Sequence, residues 1–258
     1  MKDFLLRLDK ALDFFLKNFL ILLKVTAVFF IILEILDYYF YTESDFSGLP
    51  YLYLNNLPAS FRGNLLNVEL FALIALVFVV LTVGLVLLYQ LAFFKTTEFL
   101  HQGKKINVIL SYQLAWNDLK GYAVVTGLVL FKSFLWSLLF IIPGIIVSLL
   151  YSFAFLACAF DGKKGNAALA YSKELVRNNL KKFLGNMAGL LIIVVGFYAC
   201  LFSIIEWVFR VHESCLFTVK AASGEILQDL SLALCAGYIF VFVYFFYNDM
   251  KKNNKELK

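Results

Sequence analysis

The sequence predicts an all-α, polytopic membrane protein with six transmembrane helices in three hairpins, each hairpin preceded by an interfacial amphipathic helix. Three observations carry this. Of 258 residues, 62% are hydrophobic and only 16% are charged, and the mean hydropathy is +0.82; soluble domains hold near 45–50% apolar residues and about a quarter charged. Apolar runs of the length needed to cross a hydrocarbon core of about 30 Å recur between short charged segments. The basic residues fall on alternate sides of those runs. An ordinary soluble domain, a disordered chain and a disulfide-rich secreted module are excluded.

In chain order, residues 3–18 read as an amphipathic helix, with Leu5, Leu8, Leu12, Phe15 and Phe19 on one stripe and Asp3, Arg7, Lys10 and Lys17 on the other side. Such a helix lies in the membrane interface. Acidic residues among its basic ones, and no small-residue cleavage site, argue against a cleaved signal peptide. The predicted spans are 19–40, 69–91, 121–142, 145–160, 184–207 and 227–247. Residues 41–68 hold Gly48, Pro50 and Pro58 and read as a loop. The apolar stretch 121–160 is too long for one crossing, and Pro143-Gly144 divides it into a hairpin.

Charge sets the direction. With the N-terminus cytoplasmic, segments 1–18, 95–120, 161–183 and 248–258 hold eighteen of the 23 Lys and Arg residues. Arg62, Arg210 and Lys220 fall outside, and Lys24 and Lys132 lie within spans. This positive-inside bias predicts six crossings with both termini cytoplasmic, in a bacterial cytoplasmic membrane. The whole chain reads as one integral membrane domain, with no soluble domain at either end. The net charge of +5 points to anionic lipid headgroups as partners, not to nucleic acid.

An internal repeat organises the chain. Residues 103–112, GKKINVILSY, match 162–171, GKKGNAALAY, at six of ten positions. Asn117-Asp-Leu-Lys-Gly-Tyr122 then matches Asn178-Asn-Leu-Lys-Lys-Phe183 in type, and Ala11–Phe19 is a looser third copy. Asn107 and Asn166 occupy candidate helix N-caps. On the helix over 166–183, Lys173, Arg177 and Lys181 form a basic face suited to lipid headgroups, opposite Leu169, Val176, Leu180 and Phe183.

Ile141-Ile-Pro-Gly-Ile-Ile146, Ala168-Leu-Ala-Tyr-Ser-Lys-Glu-Leu-Val176 and Asn179-Leu-Lys-Lys-Phe183 resemble a bacterial six-helix membrane superfamily. It includes YciC-like inner-membrane proteins and the membrane domain fused to some glycerophosphodiester phosphodiesterases. The ending Tyr247-Asn-Asp-Met-Lys-Lys252 is similar to the Tyr-x-Asp-x-Arg ending of that group, with Lys in place of Arg. The resemblance implies a six-helix membrane fold and carries over no catalytic residue.

The sequence offers no phosphate-binding Gly loop, nucleophile elbow or zincin helix. His101 and His212 fall on opposite sides of the predicted membrane. Cys158, Cys200, Cys215 and Cys235 have no metal-ligand spacing. No catalytic, cofactor or metal site is expected. Lys132 lies about 16 Å into the third span, where an unpaired charge is costly; Glu34 on the first span is its predicted partner. Two functions stand: a non-enzymatic membrane protein supporting envelope or lipid homeostasis or acting as a scaffold, and a small transporter or permease-like component using the intramembrane charges. A tightly packed bundle favours the first, a polar cavity reaching Lys132 the second. Gly185-x-x-x-Gly189 and Ala233-x-x-x-Gly237 permit close helix approach.

Overall fold

The computed structural model describes residues 2–41, 65–210 and 217–256. Among them every element is helical: α1 (Lys2–Lys17), α2 (Phe19–Tyr41), α3 (Leu65–His101), α4 (Val108–Leu139), α5 (Ile141–Tyr151), α6 (Ala154–Asp161), α7 (Gly165–Asn178), α8 (Leu180–Arg210) and α9 (Phe217–Glu256). Five stretches are long and apolar enough to cross a membrane: Leu76–His101, Val108–Leu138, Ile141–Asp161, Leu180–Ile204 and Ser231–Asn254. A sixth arises if α1 and α2, bent by 76° at Asn18, count as one.

The repeat has a backbone meaning. Gly103 and Gly162, which open the two matching blocks, adopt left-handed φ of 72° and 64°. Each ends the preceding helix. The Lys104 amide bonds back to Phe99 O at 3.0 Å, the six-residue closure of a Schellman turn, and the Lys163 amide reaches one residue further back, to Ala157 O at 3.2 Å. Asn107 caps α4 as expected, accepting from the Leu110 amide at 2.7 Å. Asn166 does not cap α7. The cap position is Lys164, which makes no side-chain capping bond, and Asn166 lies inside the helix.

One position of the three copies holds Asn18, Asp118 and Asn179, and the helix breaks follow that difference. Asn18 Nδ2 donates to Phe14 O at 2.8 Å, and Asn179 Nδ2 donates to Leu175 O at 3.1 Å. Both sit where one helix stops and the next begins. The matching residue of the middle copy is Asp118, a carboxylate with no proton to donate to a carbonyl. It pairs instead with Lys95 Nζ at 2.9 Å, and α4 runs unbroken through it. The interfacial helix predicted before the second hairpin, in the basic segment 95–120, is therefore absent as a separate element. Its residues form the end of α3, a turn and the first third of α4. The predicted helix over 161–183 is likewise two helices, α7 and the start of α8.

Pro143-Gly144 marks the hairpin but not its turn. The turn is the single extended residue Phe140, with φ −159° and ψ 141°. Pro143 sits in the first turn of α5, where a missing N–H does no harm. Gly144 is buried, and a Cβ there would lie 2.8 Å from Ser137 Cα. It lets α4 and α5 approach, as α5 doubles back along α4. The break between α5 and α6 is closed from outside: Ser172 Oγ on α7 accepts from the Phe153 amide at 3.1 Å and donates to Leu150 O at 2.8 Å.

The core is aromatic. Phe93, Phe94, Tyr122, Phe153, Phe183, Phe242, Phe246 and Tyr247 are all nearly inaccessible. Phe153 meets Phe183 at 5.4 Å, Phe246 at 5.8 Å and Tyr247 at 5.6 Å between ring centroids, edge-on geometry that favours such pairs. The two small-residue patterns seat rings from α1 and α3: Gly189 lies against Phe4, and Gly237 lies against Phe15 and Phe93. Away from this core the helices bare their apolar sides. Leu73, Leu76 and Val80 on α3, Phe131 and Phe134 on α4, and Leu191, Ile192 and Phe197 on α8 are exposed. In a protein of this composition such surface belongs in lipid.

Candidate functional site

Next to the aromatic core lies a layer of charged and polar residues drawn from seven helices. Arg7 of α1 donates through Nε to Asp249 Oδ2 of α9 at 2.7 Å, and through Nη1 to Asn186 Oδ1 of α8. Its guanidinium lies 5.0 Å from the Phe246 ring centroid. Asp161, closing α6, accepts from Tyr247 Oη and Lys251 Nζ of α9. Asn178 Nδ2 of α7 donates to Asn254 Oδ1 at 2.8 Å. These contacts bind the ends of the helices to one another. Tyr171 belongs to the same cluster: burial first, and then the Asp161 charge, hold its phenol above the ordinary value. The Lys163 ammonium lies 4.4 Å from its ring centroid.

A groove of about 620 Å³ opens in this layer between α3, α4, α6 and the start of α7. Its polar lining includes Lys95, Asn117, Asp118, Lys120 and Lys164, with Gly121, Gly162 and Gly165 leaving the backbone uncovered. Lys95 forms its floor, held by Asp118 and by a 2.8 Å bond to Ala159 O. Lys120 and Lys164 are exposed and have no carboxylate of their own among the lining residues. Three lysines face one aspartate, so the groove is electropositive. The amides that open α7 add to this, because a helix N-terminus favours negative charge. The chemistry fits a phosphate-bearing group.

The residues singled out by sequence fall in two places. Lys173 and Arg177 are exposed on α7. Lys181 is also exposed, but it lies on α8 beyond the break at Asn179, so the three do not share one helix face. Leu169, Leu175 and Val176 are buried against the protein. The apolar side of α7 thus meets the core and not lipid, and only its polar side is free. On α1 the predicted stripe divides: Phe15 is buried, while Leu5 and Leu12, joined by Leu6 and Leu16, are exposed. Arg7, predicted on the solvent side, points inward.

Lys132 donates to Asn166 Oδ1 of α7 at 3.1 Å and lies 5.7 Å from the Tyr151 ring centroid. The side chain of Glu34 lies outside the described residues, as do Cys215 and His212. His101 is exposed, with its ring edge-on to those of Phe14, Tyr244 and Phe245. Among the described residues no group of three or more His, Cys, Asp or Glu is placed to hold a metal, and Cys158, Cys200 and Cys235 are free thiols.

Sequence reasoning missed Lys95, Asp118, Asp161 and the Arg7–Asp249 pair. A signal for part of this was present. Tyr247, Asp249 and Lys251 of the closing motif supply three of the cross-links just described. No protein-family model, no curated protein and no solved structure matches this chain.

Proposed function

We propose that this chain is a non-enzymatic, multi-pass protein of the bacterial cytoplasmic membrane that holds anionic lipid headgroups at its charged layer and supports envelope or lipid homeostasis, as a scaffold for lipid or for other envelope proteins. In this reading both termini are cytoplasmic. The membrane-embedded helices come in three pairs, each returning the chain to the cytoplasmic side: α2 with α3, the α4–α5 hairpin continued by α6, and α8 with α9. The charged layer then lies on the cytoplasmic side, where anionic headgroups attract each nearby Lys or Arg by about 1 kcal/mol.

The observation that carries the reading is the lysine-rich groove beside exposed apolar helix surface. A phospholipid needs both, a cationic pocket for phosphate and a hydrocarbon-facing wall for its chains. The packed aromatic core and the engagement of Lys132 by Asn166 favour this over a transport path, which would need a polar passage.

The test is lipid copurification. Protein extracted from native membranes is expected to carry anionic phospholipid in excess over its share of the membrane. Lys120→Glu combined with Lys164→Glu is expected to remove that excess while leaving the helical circular dichroism unchanged. An unchanged lipid ratio in the double variant would refute headgroup binding in the groove.

A further inference from the structure

The hairpin formed by α4 and α5 has the composition and length of a membrane crossing, but its turn is as apolar as its legs. Residues 133–160 contain no charged side chain. Phe140, Ile141 and Ile142 at the turn are 72%, 74% and 72% exposed. A hairpin that crossed fully would present this turn to water on the far side, where polar turn residues belong. Here the turn reads Leu138-Leu-Phe-Ile-Ile-Pro-Gly-Ile145.

Depth follows from the neighbours. Phe153 is level with Phe183 and Phe246, as the ring contacts require. Those two rings adjoin Lys181-Lys182 and the Arg7–Asp249 pair, at the edge of the charged layer. From Phe153 back to Phe140 the chain climbs about 20 Å at 1.5 Å per residue. From Phe183 to the end of α8 it climbs about 40 Å by the same rise. A hydrocarbon core is about 30 Å thick, so α8 crosses it and the hairpin stops inside. Lys132 gives a second measure. Its bond to Asn166 ties it to α7, whose exposed side carries Lys173, Glu174 and Arg177 and no large apolar side chain among those exposed. α7 therefore lies outside hydrocarbon, and the tip extends only about 12 Å beyond Lys132.

The turn is also built for hydrocarbon, where irregular backbone is costly. The break is one residue long. Its amide donates to Trp136 O at 3.1 Å, and its carbonyl accepts from the Gly144 amide at 3.3 Å. Pro143 removes another donor, and Ser137 Oγ returns its proton to Ser133 O at 2.8 Å.

We infer that α4 and α5 form a re-entrant hairpin that enters and leaves from the charged side and packs its tip among the acyl chains of that leaflet. The inference rests on the topology proposed above; only the depth of the second pair is new. It leaves the sidedness of every charged segment unchanged, because a re-entrant loop returns to the face it left.

Two measurements on the full chain test it. In a background lacking the four native cysteines, Ile142→Cys is expected to resist a membrane-impermeant maleimide in intact cells and in inverted vesicles, and to react after detergent solubilisation. In a background where Trp116, Trp136 and Trp207 are Phe, Phe140→Trp is expected to be quenched most by lipids brominated near the chain ends. Labelling of Ile142→Cys from outside intact cells, or strongest quenching of Phe140→Trp by lipids brominated near the headgroup, would overturn the inference. Position 56 and Lys173→Cys serve as outside and inside controls. If those two exchange sides, the proposed orientation fails while the depth of Phe140→Trp still reports on the hairpin.

Discussion

Gly144 works by what it lacks. Its neighbour across the hairpin is Ser137, and any Cβ would force the two helices apart. Gly144→Val is expected to lower stability by about 1–3 kcal/mol, the usual range for overpacking, read as a lower thermal midpoint in detergent. Ser137→Gly in the same chain should return only part of that loss, since the clash also involves the Ser137 Cα. Ser172 is the complementary case, a small residue valued for its hydroxyl. Ser172→Ala would leave the Phe153 amide and Leu150 carbonyl unpaired at the α5–α6 break, at about 1–3 kcal/mol; Ser172→Thr should retain most of the stability if the added methyl fits. The Ala-rich stretch with Ser was visible in the sequence, but nothing in its spacing said that the Ser would serve another helix. Arg7 was hidden for a related reason. Helical periodicity groups residues by face, and it cannot say that Arg7 turns inward to α9 while Asp3, Lys10 and Lys17 of the same predicted side stay exposed.

At the level of elements, the asparagine of the repeat decides where helices stop. An Asn side chain can both accept and donate, so it can offer its proton to the carbonyl four residues back while the next helix begins. Asp118 cannot, and α4 stays whole. Asn179→Asp is therefore expected to destabilise the α7–α8 joint by about 1–3 kcal/mol, because two acceptors then face each other in a buried place. Asn18→Asp, at the more accessible break, should have the smaller effect. Hydrogen exchange over residues 175–183 and 14–22 checks both. The repeat itself was legible as sequence, and so was the hairpin at Pro143-Gly144. The continuity of α4 was not, because the repeat suggested a break that one Asn-to-Asp difference removes. Capping was half legible: Asn107 and Asn166 stand at matching positions, yet Lys132 takes the second one.

Across the molecule, composition and charge spacing were enough to predict long apolar helices with polar ends. Which polar residues meet was not, since the charged layer is assembled from residues as far apart in sequence as Arg7 and Asp249. That pair measures how the layer holds together. Arg7 is largely enclosed and Asp249 is half exposed, so a double-mutant cycle with Arg7→Ala and Asp249→Ala is expected to give a coupling of about 1–3 kcal/mol, within the range for hydrogen bonds to charged groups. Coupling near zero would mean that the layer is a collection of independent surface pairs.

The central claim is that this charged layer faces the cytoplasm while the segment between α2 and α3 faces out. Single cysteines at position 56 and at Lys173, in an otherwise cysteine-free chain, test it most directly with a membrane-impermeant maleimide on intact cells. The account predicts labelling at Asn56→Cys and none at Lys173→Cys until the membrane is opened. Labelling of Lys173→Cys in sealed cells, with Asn56→Cys protected, would contradict it.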